Sequence, residues 1–130
     1  MSTIDDGPKD RQETWVAVQE LFEDWSLSRE GRLAILKCFD VVYTSWENAG
    51  RMSSDGPWWE RALKLIEIHS LLKIGLGGRE MSVLRAWLST THRYSPFQNE
   101  SPLEMMLSEE SKAISNFDNI IARLRIIKID

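Results

Sequence analysis

The 130-residue sequence has one cysteine and two histidines, and each scarcity removes a class of protein. With Cys38 alone, no disulfide can close within the chain, which agrees with a reducing, cytoplasmic setting. His69 and His92 stand far from each other and from Cys38, so no pair falls at metal-ligand spacing. The longest apolar stretches, near Leu63–Leu76 and Ile120–Ile129, are interrupted by Glu67, His69, Lys73, Arg123 and Arg125, which excludes a bilayer span. Met1–Asp10 is polar and acidic, carries no signal-peptide core and reads as a flexible leader broken at Gly7-Pro8.

Catalytic signatures are equally scarce. Neither a nucleophile elbow nor a catalytic-cysteine pattern occurs. Gly75-Leu76-Gly77-Gly78 follows a helical pattern rather than a strand and lacks the Lys-Ser/Thr of a phosphate loop. The acids Glu20, Glu23, Asp24, Glu109 and Glu110 fall on faces expected to be solvated or near helix starts. His69 lies among core-facing positions and is expected to be a hydrogen-bonded structural histidine. No enzyme activity and no cofactor are expected.

Helical periodicity is what the chain has in abundance. Trp15, Val18, Leu21, Phe22 and Trp25 recur at three- and four-residue steps, which predicts a helix over Arg11–Leu27. Ser28 is the expected cap of a second helix carrying Leu33, Ile35 and Leu36, and Asp40 of a third carrying Val41, Val42, Tyr43 and Trp46. Gly50 suits a left-handed stop, and Pro57 suits a first helical position. The most apolar helix, Trp58–Leu76, should be central, followed by one over Arg79–Thr91. After an irregular His92–Ser101, the run Ser101-Pro102-Leu103-Glu104 is a capping-box start. A last helix over Ser108–Ile127 lines Ile114, Phe117, Ile120, Ile121, Leu124 and Ile127 along one stripe. The predicted fold class is all-α, about seven helices, with a leader (1–10), a helix-turn-helix-like region (11–57) and a C-terminal helical lobe (58–130).

Two partner classes fit this pattern. Residues 1–50 hold ten acids against five bases, and residues 51–130 ten against eleven. The helix-turn-helix-like part is therefore the acidic one, and Val41–Ala49 contains no Lys or Arg, contrary to the habit of DNA readers. Arg29, Arg32, Lys37 and Arg51 remain as candidates to grip a DNA backbone. Protein binding has its own signals. Trp58-Trp59 and Met105-Met106 are side by side, so one member of each pair is expected at the surface, where Trp and Met are favoured contacts. Ile126, Ile127 and Ile129 keep the end of the chain apolar, as in a segment docked on something.

The stretch from Trp58 onward resembles the toxin-binding domain of the MbcA/ParS/Xre antitoxin family. The residues that carry the likeness are the run ERALKLIEIHSLL from Glu60, Arg85-Ala86-Trp87-Leu88, Pro96-Phe97, and Ser101 through Leu107. Trp25-Ser26-Leu27-Ser28 and Trp46 are similar to the family's Xre-like helix-turn-helix. The pattern departs at Gln98-Asn99-Glu100, where the family commonly has a Gly-Gly-Arg element, and at Val41–Ala49, which lacks the usual basic residues.

The resemblance implies a type II antitoxin. Its partner would be a RES-domain or related NAD-consuming toxin, neutralised by covering the active-site entrance. The C-terminal segment Leu124–Asp130 would act as the plug, with Arg123, Arg125 and Lys128 meeting toxin acids. Ile126 and Ile129 would fill an apolar slot and Asp130 an anion pocket, while Met105 completes the contact surface. Autorepression through operator DNA goes with the resemblance, and a homodimer is left open. The alternative is a helical DNA-binding regulator with no toxin partner, and the third class is an enzyme without familiar motifs.

Overall fold

The computed structural model describes residues 10–76, 80–108 and 113–129. Among them are seven helices: α1 (Arg11–Asp24), α2 (Arg29–Leu36), α3 (Asp40–Ala49), α4 (Pro57–Gly75), α5 (Met81–Ser89), α6 (Pro102–Leu107) and α7 (Ala113–Ile129). The all-α expectation holds; the sole strand-like pairing described is an isolated bridge between His92 and Glu100. No described helix is long and apolar enough to cross a membrane.

Local chemistry sets most helix ends. Asp10, expected to belong to the leader, is the N-cap of α1, accepting from the Glu13 amide at 2.7 Å. That helix stops three residues before the expected Leu27. Ser26 turns left-handed (φ 59°), and the amides of Ser26 and Leu27 bond back to the carbonyls of Glu23 and Phe22. Ser28 caps α2 as expected. Asp40 does not cap α3: the N-cap is Phe39, without a side-chain bond, and Asp40 is already helical. Gly50 (φ 73°) closes α3, and Pro57 opens α4. Ser101 and Glu104 form the complete reciprocal capping box. Helix α5 is shorter than expected at both ends, and α7 is described only from Ala113, so the expected start near Ser108 is not helical at that residue. Gly77 and Gly78, Glu109 and Glu110 lie outside the described residues.

The centre of the fold is α4. Its buried residues, Arg61, Ala62, Leu65, Ile68, His69, Leu71 and Leu72, cover more than one face, because neighbours flank it on several sides. Its most extensive pairing is with α7, which buries Phe117, Ile120, Ile121 and Leu124, while α1 and α2 pack elsewhere on it. The buried apolar residues form one continuous cluster from Trp15 to Leu124, spanning both sides of position 57. Within it Trp15, Tyr43, Trp46 and Trp58 meet edge to face, with centroids 5.3–6.2 Å apart.

Arg61 is the charged residue of this core. Its Nη1 donates to the Ile35 carbonyl at 3.0 Å, at the C-terminal end of α2, and its guanidinium lies over the Phe117 ring. One side chain thus joins α2, α4 and α7. Burial lowers its pKa from the ordinary arginine value.

Met105 and Met106 correct an expectation. Both are buried, because α6 is a short helix held between α5 and α7 and touched by α2, so neighbouring positions both meet protein. Trp58 and Trp59 are each half-buried, with the Trp58 indole N–H donating to the Ser53 carbonyl.

Candidate partner-binding site

The expected contact residues at the C-terminal end divide into four groups. Met105 is only 5% exposed and serves the core rather than a partner surface. Arg125 is on the surface, but its guanidinium is paired with Glu67 of α4, so its charge is met within the chain. Arg123 and Ile126 remain available. Arg123 is half-buried with no ion pair among the described residues, and Ile126 is 53% exposed. Lys128 and Ile129 continue the backbone of α7 with side chains outside the description, and Asp130 lies outside the described residues altogether.

Beside Arg123 runs the irregular segment after α5. The imidazole of His92 donates through Nε2 to the Trp87 carbonyl at 3.1 Å, in the last turn of α5. Phe97 plugs the segment from inside. Around it Trp87, His92 and Tyr94 gather with centroids within 5.6 Å of its own. Tyr94 faces outward and carries the Arg123 guanidinium over its ring, 4.3 Å from the centroid. Sequence reasoning did not reach Tyr94, and it read Glu67 only as an interruption of an apolar stretch. No periodicity links either to α7, since both contacts cross between separate elements.

Below the segment lies a cavity of about 640 Å³, with Ser95, Gln98, Glu100, Glu104, Asn116 and Asn119 in its wall. Among the described residues its lining contains no Lys, Arg or His and offers hydroxyls, amides and carboxylates.

The candidate DNA-facing residues also separate. Arg29 is drawn onto α3: its Nε donates to Asp40 at 2.7 Å, Nη1 to Glu47 and Nη2 to Thr44, and the guanidinium rides over the Tyr43 ring. These partners raise its pKa further above the ordinary arginine value. One cation thus serves two carboxylates, Asp40 and Glu47. Arg32 donates to the Leu27 carbonyl and lies over Phe22. Lys37 and Arg51 are exposed and unpaired among the described residues. At the turn between α2 and α3, Phe39 and Val41 are 79% and 74% exposed.

His69 is a structural residue, as expected. Its Nδ1 accepts from the Trp25 indole N–H at 2.9 Å, which leaves Nε2 as the protonated nitrogen, donating to Asp24 at 3.1 Å. An Asp–His pair of this kind orients a general base in hydrolases, but here an indole donor holds the position where a nucleophile would stand. Burial lowers the His69 pKa, with Asp24 opposing the shift. Asp24, expected on a solvated face, is a half-buried partner instead. No group of three potential metal ligands occurs among the described residues.

No protein-family profile matches the chain, and no curated protein matches it.

Proposed function

We propose that this chain is an antitoxin that binds a RES-domain or related NAD-consuming toxin and blocks its active-site entrance with the end of α7. The observation that carries the reading is the surface at that end. An arginine with no acidic partner in the described chain stands one turn from an exposed isoleucine, on a helix anchored by Phe117, Ile120, Ile121 and Leu124. A rigid helix that presents an unmatched charge beside apolar surface suits a protein cleft better than water. The family likeness of residues 58–130 supports the same partner class.

The test is co-expression with a RES-domain toxin encoded beside it, reading cell growth, intracellular NAD and a co-purified complex. The full chain should rescue growth and preserve NAD. A chain ending at Arg125 should keep a cooperative thermal melt, less only the last turn of α7, but lose rescue. Undiminished rescue by the shortened chain would remove the plug, and absence of both complex and rescue for the full chain would remove the antitoxin reading.

A specific observation also favours operator binding as a second activity. Lys37 precedes α3 and Arg51 follows it, both unpaired among the described residues, while the exposed acids between them, Asp40 and Glu47, are engaged by Arg29. Cations at the two ends, with the acids between them drawn onto Arg29, is an arrangement that suits phosphate contacts flanking a groove-facing helix.

A further inference from the structure

Arg123 is held in a state that leaves its charge unanswered. Its guanidinium lies over the Tyr94 ring, and Tyr94 rests edge-on against the buried Phe97, with centroids 5.4 Å apart and planes at 79°. The Nε of Arg123 is buried and donates to no atom among the described residues. One of its five donors has therefore lost water without gaining an acceptor, and the ring beneath limits the rotamers of the rest.

What surrounds it defines the partner. Ile126, one turn further along α7 and on the same face, is 53% exposed, and Tyr94 is 38% exposed. Arg93, next to Tyr94, is exposed and has no ion pair among the described residues, so the local charge is positive. The next cation along the helix, Arg125, is already paired with Glu67, so the described side chains form no continuous basic track for a phosphate backbone to follow.

We propose that Tyr94, Arg123 and Ile126 form the anchor of the partner interface and take an Asp or Glu side chain of a protein, flanked by an aliphatic residue. The carboxylate accepts from the guanidinium fork, and its aliphatic neighbour covers Ile126 and the outer edge of Tyr94. Tyr94 acts as a positioning residue, presenting the guanidinium already oriented. This inference rests on the antitoxin reading only for the identity of the protein that supplies the carboxylate.

The first test needs no toxin. The full chain, with ¹⁵N-labelled arginine, is titrated with the capped peptide N-acetyl-Leu-Glu-Leu-amide, its Leu-Gln-Leu counterpart and inorganic phosphate. The expected result is a saturable shift of the Arg123 Nε–H resonance with the Glu peptide alone. That response should vanish in Tyr94→Ala, with Arg125 unmoved throughout. An equal response to the Gln peptide or to phosphate, or movement of Arg125 in place of Arg123, would overturn the proposal.

The second test uses the RES-domain toxin. Arg123→Lys keeps the charge but lacks the fork, and should weaken binding about tenfold or more, whereas Arg125→Gln should change it less than about threefold. Thermal melts of both variants confirm folding. Unchanged affinity in Arg123→Lys and Arg123→Gln would remove the anchor and leave the antitoxin reading standing. Failure of the wild-type chain to bind the toxin would remove that reading while the peptide titration still judges the anchor.

Discussion

The indole N–H of Trp25 donates to Nδ1 of His69 across 2.9 Å, joining the end of α1 to the middle of α4. Because Nε2 of the same ring donates to Asp24, the neutral imidazole is satisfied on both sides, and the backbone carbonyl of Asp24 also receives Arg85 from α5. Three helices are therefore joined through the Asp24–His69 pair. A second proton on that ring would place two N–H groups face to face at Nδ1.

A pH dependence follows from that arrangement. The folded-state pKa of His69 is lowered from 6.5, with burial the largest cause; Asp24 and Glu20 oppose the shift and Lys73 adds to it. The unfolded chain takes up its proton first as pH falls. The stabilisation is complete above about pH 6.5 and is lost progressively as pH drops toward the lowered folded value. Melting temperature should decline through that window in the wild type, with a shallower decline in His69→Gln. Identical slopes in the two proteins would show that His69 is not the group responsible.

Ser26 offers a stabilising substitution. It is exposed, sits at φ 59° and closes α1, a conformation in which a Cβ is costly and glycine is favoured. Ser26→Gly should raise stability by roughly 0.5–1 kcal/mol, with α1 unchanged in length. Urea midpoints provide the measurement, and a lowered midpoint would count against the left-handed turn.

Gly56 should tolerate no side chain. Its backbone is extended (φ −135°), so the constraint is space: a Cβ there would lie 2.2 Å from the Trp58 ring. That indole is fixed by its bond to the Ser53 carbonyl and by edge contact with Trp46. Gly56→Ala should cost about 1–3 kcal/mol, read by chemical denaturation, together with a changed tryptophan emission. A neutral result would mean that the Trp58 ring moves freely.

The DNA contacts can be ranked by salt. If α3 faces an operator, neutralising Lys37 or Arg51 should each reduce the slope of log affinity against log salt by about one. Arg29→Gln should leave the slope unchanged, since its charge is already balanced by Asp40 and Glu47. An equal loss in Arg29→Gln would mean that the pairing opens on the DNA.

Much of the helical layout was legible because its signals are local. The Ser28 cap, the Gly50 stop, Pro57 at the start of α4 and the Ser101–Glu104 box each depend on atoms within a few residues of one another. Where a local signal competes with a distant one, the reading failed. Asp40 looks like a cap until Arg29, eleven residues earlier, takes its carboxylate. Met105 and Met106 look like an inside–outside pair until α5 and α7 close over both faces of α6.

By itself the sequence determined the helical class, the placement of most helix ends and the apolar faces that must be covered. Backbone hydrogen bonds and 3.6-residue periodicity act at short range, so they leave a record in adjacent residues. Only the tertiary structure decided which charges are free. Arg123 and Arg125 are two residues apart on one helix, yet one rests on Tyr94 and the other meets Glu67. Electrostatic and stacking partners are chosen by packing across the core, and no spacing along the chain encodes that choice.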